Sequence, residues 1–339
     1  MLLTAKSGPA KSPPVESIRE KIRERTLDTR NIDVAPFVEA ILKRYGNKVV
    51  GIYMYGSVLS KVTKSTTSFP DFFVVTDGYR GVFQDFSHWL LAYFLPPHIY
   101  HLRLSDSLRC KYNLVSLGRF KRECSKKAKD IYILGRFGKR VALVYSREER
   151  SRDELVNCCH EAMSNVAIWT LRGLQGSFNE EIFTLDCLNL SYVGETRVET
   201  SSKVPKLFEA EKDFYLEVYP ELLKRSPRAQ KMFVPDGDGH FKAAGSGLRR
   251  WLRRLRFRWF LKKSRIRGIL RWPKFLVTVD EWVDIILAKI ERTKGIKIEL
   301  SARQRRHPLI FGWGHFLRLM RAGAIKSASE SSSTKKKEL

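Results

Sequence analysis

Acidic residues are scarce in this 339-residue chain: 36 Asp and Glu stand against 63 Lys and Arg, for a formal net charge of +27. So one-sided a balance predicts a polyanionic partner, whether nucleic acid, anionic lipid or a multiply phosphorylated substrate. Cysteine is scarce too. The five present, Cys110, Cys124, Cys158, Cys159 and Cys187, are odd in number and form no C-x-x-C. That excludes a simple disulfide framework, speaks against a zinc site and fits a reducing compartment. Cys158 and Cys159 read as small apolar residues of a helix core.

Long apolar runs are missing as well. The densest, Trp89 to Leu95, is far short of the roughly 18 residues a membrane span needs. No signal-peptide core stands near the start, and Glu16, Glu20, Glu24 and Asp28 exclude an acid-poor presequence. The expectation from these absences is a cytoplasmic protein that touches a membrane from outside, peripheral on its inner face.

A hydrophobic content of 43% and an aromatic content of 12% do support a sizeable core, and the length suffices for two domains. Residues 1–32 read as a flexible arm carrying Pro9, Pro13 and Pro14, with order expected from about Asp33. Val34, Phe37, Val38, Ile41, Leu42 and Tyr45 recur at helical spacing. The runs Val49–Tyr55 and Asp71–Val75 read as strands, Phe83–Phe94 as a helix, and Tyr112–Ser116, Ile131–Leu134 and Val141–Tyr145 as shorter strands. Residues 33–145 thus form a mixed α/β domain. Residues 146–240 turn helical, with Leu155, Cys158, Cys159, Ala162, Val166, Trp169 and Leu171 on one face of a helix and Phe208–Leu223 as another; a winged helix is one form such a domain takes. Residues 241–326 form a basic region, and the Ser/Lys-rich 327–339 reads as a disordered tail.

Chemistry concentrates where the first strand closes on Tyr55-Gly56-Ser57 and the next opens on Asp71. A small turn lets backbone N–H groups and the Ser57 hydroxyl cradle a triphosphate. An adjacent carboxylate holds Mg²⁺, which bridges phosphate oxygens and neutralises a departing pyrophosphate. Strand, Gly-Ser turn, loop, Asp, strand is the pattern of a polymerase-beta-like nucleotidyltransferase. Such enzymes usually carry Asp-x-Asp, but position 73 is Phe73. The second metal ligand must come from elsewhere, with Asp77 the first candidate and Asp130 the second.

Further stretches follow in order: Asp71-Phe72-Phe73-Val74-Val75-Thr76-Asp77, Pro97-His98-Ile99-Tyr100, Lys111-Tyr112-Asn113-Leu114-Val115-Ser116, Asp130-Ile131-Tyr132-Ile133-Leu134-Gly135-Arg136 and Leu190-Ser191-Tyr192-Val193-Gly194-Glu195-Thr196-Arg197. Together with Gly56-Ser57, this succession over roughly residues 50–225 resembles the mitochondrial-type phosphatidate cytidylyltransferases (translocator assembly and maintenance proteins and bacterial relatives). The family's Trp-His pair is replaced by Gly78-Tyr79-Arg80, and Asn113 stands for a glycine. The resemblance implies an α/β nucleotidyltransferase domain followed by a helical domain, and the reaction of CTP with phosphatidate to CDP-diacylglycerol and pyrophosphate, with Mg²⁺ as cofactor. It implies Asp71 and Lys111 as catalytic residues, with Asp71 on the metal beside the candidate second ligand Asp77. Tyr55, Gly56, Ser57 and Arg136 would hold nucleotide, and Lys111, Tyr192 and Arg197 the phosphate acceptor.

Leu248–Lys274 contains Arg249, Arg250, Arg253, Arg254, Arg256, Arg258, Lys262, Lys263, Arg265, Arg267, Arg271 and Lys274 and no acid. Leu248, Trp251, Leu252, Leu255 and Trp259 share one helical face, which Phe257, Phe260 and Leu261 do not join. A helix lying at an anionic membrane surface through Arg249, Arg250, Trp251, Arg253, Arg254 and Trp259 is the expectation; a solvated helix and a nucleic-acid contact are the alternatives. Two other functions compete: nucleotidyl transfer to RNA or another phosphorylated acceptor, and a non-catalytic basic scaffold. Composition does not indicate an oligomeric state.

Overall fold

The computed structural model describes residues 15–60, 69–83, 86–105, 108–195 and 203–278. In chain order, Val15–Leu27 (α1) and Ala35–Tyr45 (α2) lead into strand Val49–Tyr55 (β1) and a single helical turn, Ser57–Ser60 (α3). Asp71–Thr76 (β2), Phe86–Phe94 (α4), His98–Arg103 (β3) and Arg109–Ser116 (β4) follow, then Leu117–Cys124 (α5), Ile131–Phe137 (α6) and Ala142–Ser146 (β5). Glu149–Gly173 (α7), Ser177–Phe178 (β6), Glu180–Val193 (α8), Val204–Ala210 (α9), Lys212–Arg225 (α10) and Pro227–Gln230 (α11) come next, and Phe233–Pro235 (β7), Phe241–Ala243 (β8) and Gly247–Thr278 (α12) complete the order.

Five strands form one mixed sheet in the order β3-β4-β2-β1-β5. Only β2 and β4 run parallel; the other neighbours are antiparallel. Alternation along a strand sends neighbouring side chains to opposite faces. On one face Phe72, Val74, Tyr112 and Leu114 meet Phe37 and Ile41 of α2. On the other, Tyr53, Phe73, Val75 and Val115 enter a core shared with Ile131, Leu134, Leu155, Ala162, Leu188 and Tyr215 of the helices. The sheet is therefore sandwiched between helices, as a mixed α/β fold. A second, small sheet, β6-β8-β7, lies beside the helices. All five cysteines are free and buried.

The helices of residues 146–240 do not carry a core of their own. Helix α7 packs directly on β1, β5, α1, α5 and α6, so sheet and helices share one apolar interior across the expected boundary at 145. The expected arm is also corrected: from Val15 it is helix α1, with Ile18 and Ile22 buried. Two apolar residues one turn apart are a thin signal, and ion pairs supply the rest. Arg23 meets Asp153 and Lys21 meets Glu217. Beyond α1, Asp28 and Glu211 converge on buried Arg140 at 2.8 Å each.

Ile131–Leu134, expected as a strand, is the start of α6. The Asp130 carboxylate accepts from Tyr132 N at 2.9 Å and caps that helix. The segment expected as a single helix at Phe208–Leu223 is two, α9 and α10, breaking at Glu211. Residues 279–339, including the expected tail, lie outside the described residues.

Candidate active site

β1 and β2 pair with Tyr55 opposite Asp71. One residue on, Gly56 has φ +90°, and a Cβ there would stand 3.0 Å from Asp71 Oδ2. Only glycine allows both the backbone angle and the approach of the carboxylate. The chain turns directly into α3 at Ser57, with Ser60 N donating to Gly56 O at 3.2 Å. The first N–H groups of a helical turn lack intrahelical acceptors, and this turn begins one residue after Gly56, beside the start of β2. The Asp71 carboxylate therefore stands against the Gly56 turn.

The parallel partner of β2 brings in Lys111, in register with Asp71. Alternation puts Tyr55, Asp71, Lys111 and Asn113 on the sheet face that carries α6 and α8. Burial, and then the Asp71 charge, push the neighbouring Cys110 thiol up to about 12, so it stays protonated and takes no part as a nucleophile.

Behind the carboxylate lies a hydrogen-bonded wall. Asn113 Nδ2 donates to Tyr55 Oη at 2.6 Å and to Phe72 O at 3.3 Å, while Tyr132 Oη donates to Asn113 Oδ1 at 3.0 Å. Burial, followed by the Asp71 charge, drives the Tyr55 phenol well above its ordinary value, against an opposing pull from Arg136. Arg136 stacks 3.6 Å over the Tyr132 ring and donates to Tyr132 O and Glu195 Oε1, each at 2.7 Å. Although burial disfavours its charge, Glu195, Tyr132 and Tyr55 hold the guanidinium protonated. Glycines let α6 and α8 close up: a Cβ on Gly135 would stand 2.5 Å from Ser191 Cβ, and one on Gly194 2.6 Å from Ile131. Lys139 Nζ donates to Ser191 Oγ at 2.6 Å and lies 4.1 Å from the centre of the Tyr192 ring.

Tyr55, Gly56, Ser57, Asp71, Lys111 and Arg136 thus sit around one end of the sheet, with Tyr192 buried in the adjoining wall. Arg136 already spends donors on Glu195 and Tyr132, so holding the wall together is its visible role, and a nucleotide contact would draw on its remaining N–H groups. Asn113, Tyr132, Lys139 and Glu195 received no role from the sequence. Asn113, Tyr132 and Glu195 each lie within one of the ordered motifs and Lys139 lies three residues beyond one, but only the strand order shows that they meet. Arg197 lies outside the described residues.

Asp77 is not brought to the site. It stands just past the far end of β2, six residues or about 20 Å along an extended strand from Asp71, and pairs with Arg147 at 3.6 Å. Asp130 is also removed as a ligand: Arg267 Nε and Arg271 Nη2 both donate to its Oδ2 at 2.6 Å. Among the described residues no group of three His, Cys, Asp or Glu is arranged to hold a metal. A single carboxylate beside a turn that a Cβ would fill nevertheless fits Mg²⁺, which binds through one or two carboxylates, water and substrate phosphates rather than an all-protein cage.

Helix α12 is not a separate appendage. Phe257, Phe260 and Leu261, the residues outside the expected stripe, are its packed face. Phe260 stacks on Trp169 at 3.9 Å, and a Cβ on Gly173 would stand 2.4 Å from the Phe257 ring. Leu248, Leu252 and Leu255 are exposed, as are Trp251 (56%) and Trp259 (66%). Among the expected surface arginines, Arg249 and Arg250 are exposed and Arg254 is partly so. Arg253 is corrected: it turns inward and donates to Met232 O at 3.1 Å and to Ala244 O, fastening α12 to the small sheet. No described helix is long and apolar enough to cross a membrane.

No protein-family model matches the chain, and no curated protein matches it. Among solved structures, the chain is similar to a nucleotidyltransferase-like protein from Exiguobacterium sibiricum at 14% identity, over 84% of this chain and 90% of that one, with a TM-score of 0.23. A likeness that low carries no chemistry across.

Proposed function

We propose that the chain is a nucleotidyltransferase that joins CMP from CTP to phosphatidate, releasing pyrophosphate and forming CDP-diacylglycerol at a membrane surface. The observation that carries this reading is the Asp71 carboxylate held against the Gly56-Ser57 turn, with Lys111 in register beside it. The nucleotide's phosphates lie along the turn, where the α3 N–H groups and Ser57 bind them. Asp71 would hold Mg²⁺, which when bound would neutralise charge developing on pyrophosphate.

A phosphate oxygen of phosphatidate attacks the α-phosphorus of CTP, and the bond from that phosphorus to the bridging oxygen of the β-phosphate breaks. The attacking monoester already carries about 1.5–2 negative charges at neutral pH, so it needs no general base. The lone carboxylate suits that requirement. What the step does require is positive charge where two anions meet. Lys111, in register with Asp71, supplies it, and Arg136 holds the adjoining wall together through Tyr132 and Glu195.

The test is transfer of label from CTP, with Mg²⁺, to phosphatidate vesicles. Label in the lipid phase is expected. Label on RNA alone would replace the acceptor, and no turnover with any acceptor would leave a scaffold. Within this reading, Gly56→Ala is expected to slow transfer roughly ten- to hundredfold. The left-handed angle costs a side chain about 1–2 kcal/mol, and the new methyl pushes the carboxylate off its position. Initial rates beside a thermal melt separate the loss in rate from the loss in stability.

A further inference from the structure

The exposed stripe of α12 does not end at Trp259. Ile266, Ile269 and Leu270 continue it on the same side of the helix, and all three stand exposed, Ile269 at 57%. At this end α12 meets a second apolar element. Arg267 Nη2 donates to Phe94 O at 3.0 Å and Arg271 Nε to Pro96 O at 2.9 Å, which seats α12 beside the last turn of α4. That turn exposes Leu90, Tyr93 and Phe94, the last at 55%. Two helices far apart in sequence therefore leave large apolar side chains in solvent on either side of one hydrogen-bonded junction.

Cations border the junction. Lys262 and Lys263 are exposed on α12, and the Arg119 guanidinium of α5 lies 3.7 Å over the Tyr93 ring. The occupant has to accept apolar side chains and positive charge at once. A second copy would set like charges face to face. A nucleic acid would satisfy the cations but leave Ile266, Ile269 and Leu270 without a partner, since aliphatic side chains offer bases no stacking surface. An anionic bilayer takes both, with the apolar side chains at the acyl boundary and the cations among headgroups.

We infer that α4 and the second half of α12 form one docking face for an anionic lipid surface, with α4 as a contact separate from the Trp251–Trp259 stretch. The inference rests on the lipid-acceptor reading for its choice of membrane and adds the element that orients the sheet on it. Two contacts on different elements fix an orientation, whereas one helix alone would leave the body free to roll about its axis.

The experiment is co-sedimentation of the full chain with phosphatidylcholine vesicles, with and without phosphatidate or phosphatidylglycerol. It uses wild type, the α4 pair Leu90→Ser with Phe94→Ser, and the α12 pair Ile269→Ser with Leu270→Ser. Wild type is expected to partition onto both kinds of anionic vesicle and not onto neutral ones. Each pair is expected to weaken that binding about tenfold, as the loss of partly inserted apolar surface requires, with circular dichroism and molar mass in solution unchanged. Absent wild-type binding, an α4 pair that binds like wild type, or an oligomer that the substitutions dissolve would each overturn the inference. Transfer to detergent-dispersed phosphatidate keeps the two readings apart. Its absence in wild type, with vesicle binding behaving as stated, would remove the acceptor and leave the docking face standing.

Discussion

Replacing Asp71 by asparagine is expected to lower cytidylyl transfer on the order of a thousandfold while leaving the fold and vesicle binding intact. Asp71 is the carboxylate seated against the Gly56 turn, and among the described residues no three-residue acidic or His/Cys cluster stands ready to substitute for it. The amide keeps the shape and one oxygen but loses the charge that draws a divalent ion. An ion at a reacting phosphate is worth several kcal/mol of transition-state stabilisation, and each 1.4 kcal/mol or so is a factor of ten. The structural cost is small, because the residue opens β2 rather than filling its middle. Asp77→Asn is the matched control: it lies at the far end of the strand against Arg147, and its rate is expected within about twofold of wild type. Full activity in the Asp71 variant, or an equal loss at Asp77, would misplace the metal.

Asp130→Ala is expected to cost the largest share of stability. Its carboxylate is 2% exposed and holds Arg267, Arg271 and the first turn of α6 together. Taking away one partner of a buried pair typically costs about 3–5 kcal/mol, because the remaining charge stays buried. For a chain of this size that is a fall of roughly 4–7 °C in melting temperature. Loss should begin at α12, visible as faster hydrogen exchange across residues 257–271. Acid should produce the same release in wild type. Burial favours the neutral carboxyl, yet Arg271 and then Arg267 outweigh it and hold the group below its ordinary range. A carboxyl depressed in the folded state stabilises fully above its unfolded value of about 3.9 and loses that contribution as pH falls through the folded value. The release therefore belongs below about pH 4, and the alanine variant should lack the step.

The parts of the fold legible in the sequence were those written locally. β1 and β2 are continuous apolar runs because both faces of the sheet are covered, and Gly56-Ser57 and Asp71 mark their facing ends. Ile131–Leu134 misled because a short apolar run reads equally as strand or buried helix; the deciding signal was the Asp130 cap. Helix α12 misled differently. It has two apolar faces, and the regular stripe is the exposed one, while the irregular Phe257, Phe260 and Leu261 pack. The wall from Tyr55 through Asn113 and Tyr132 to Arg136 and Glu195 depends on β4 lying parallel to β2 and on α8 crossing α6. Pairings over such sequence distances leave no local mark, so the motifs could be seen in order but not seen to touch. Asp77 failed for a simpler reason: nearness along a strand is distance in space.

In the proposed reaction one carboxylate, Asp71, and a bound nucleotide together would hold the divalent ion. Electron paramagnetic resonance of Mn²⁺, titrated into the protein with and without CTP, tests it directly. Tight Mn²⁺ binding is expected only when CTP is present, and is expected to be lost in Asp71→Asn. Tight binding without nucleotide, or binding that survives in the variant, would contradict it.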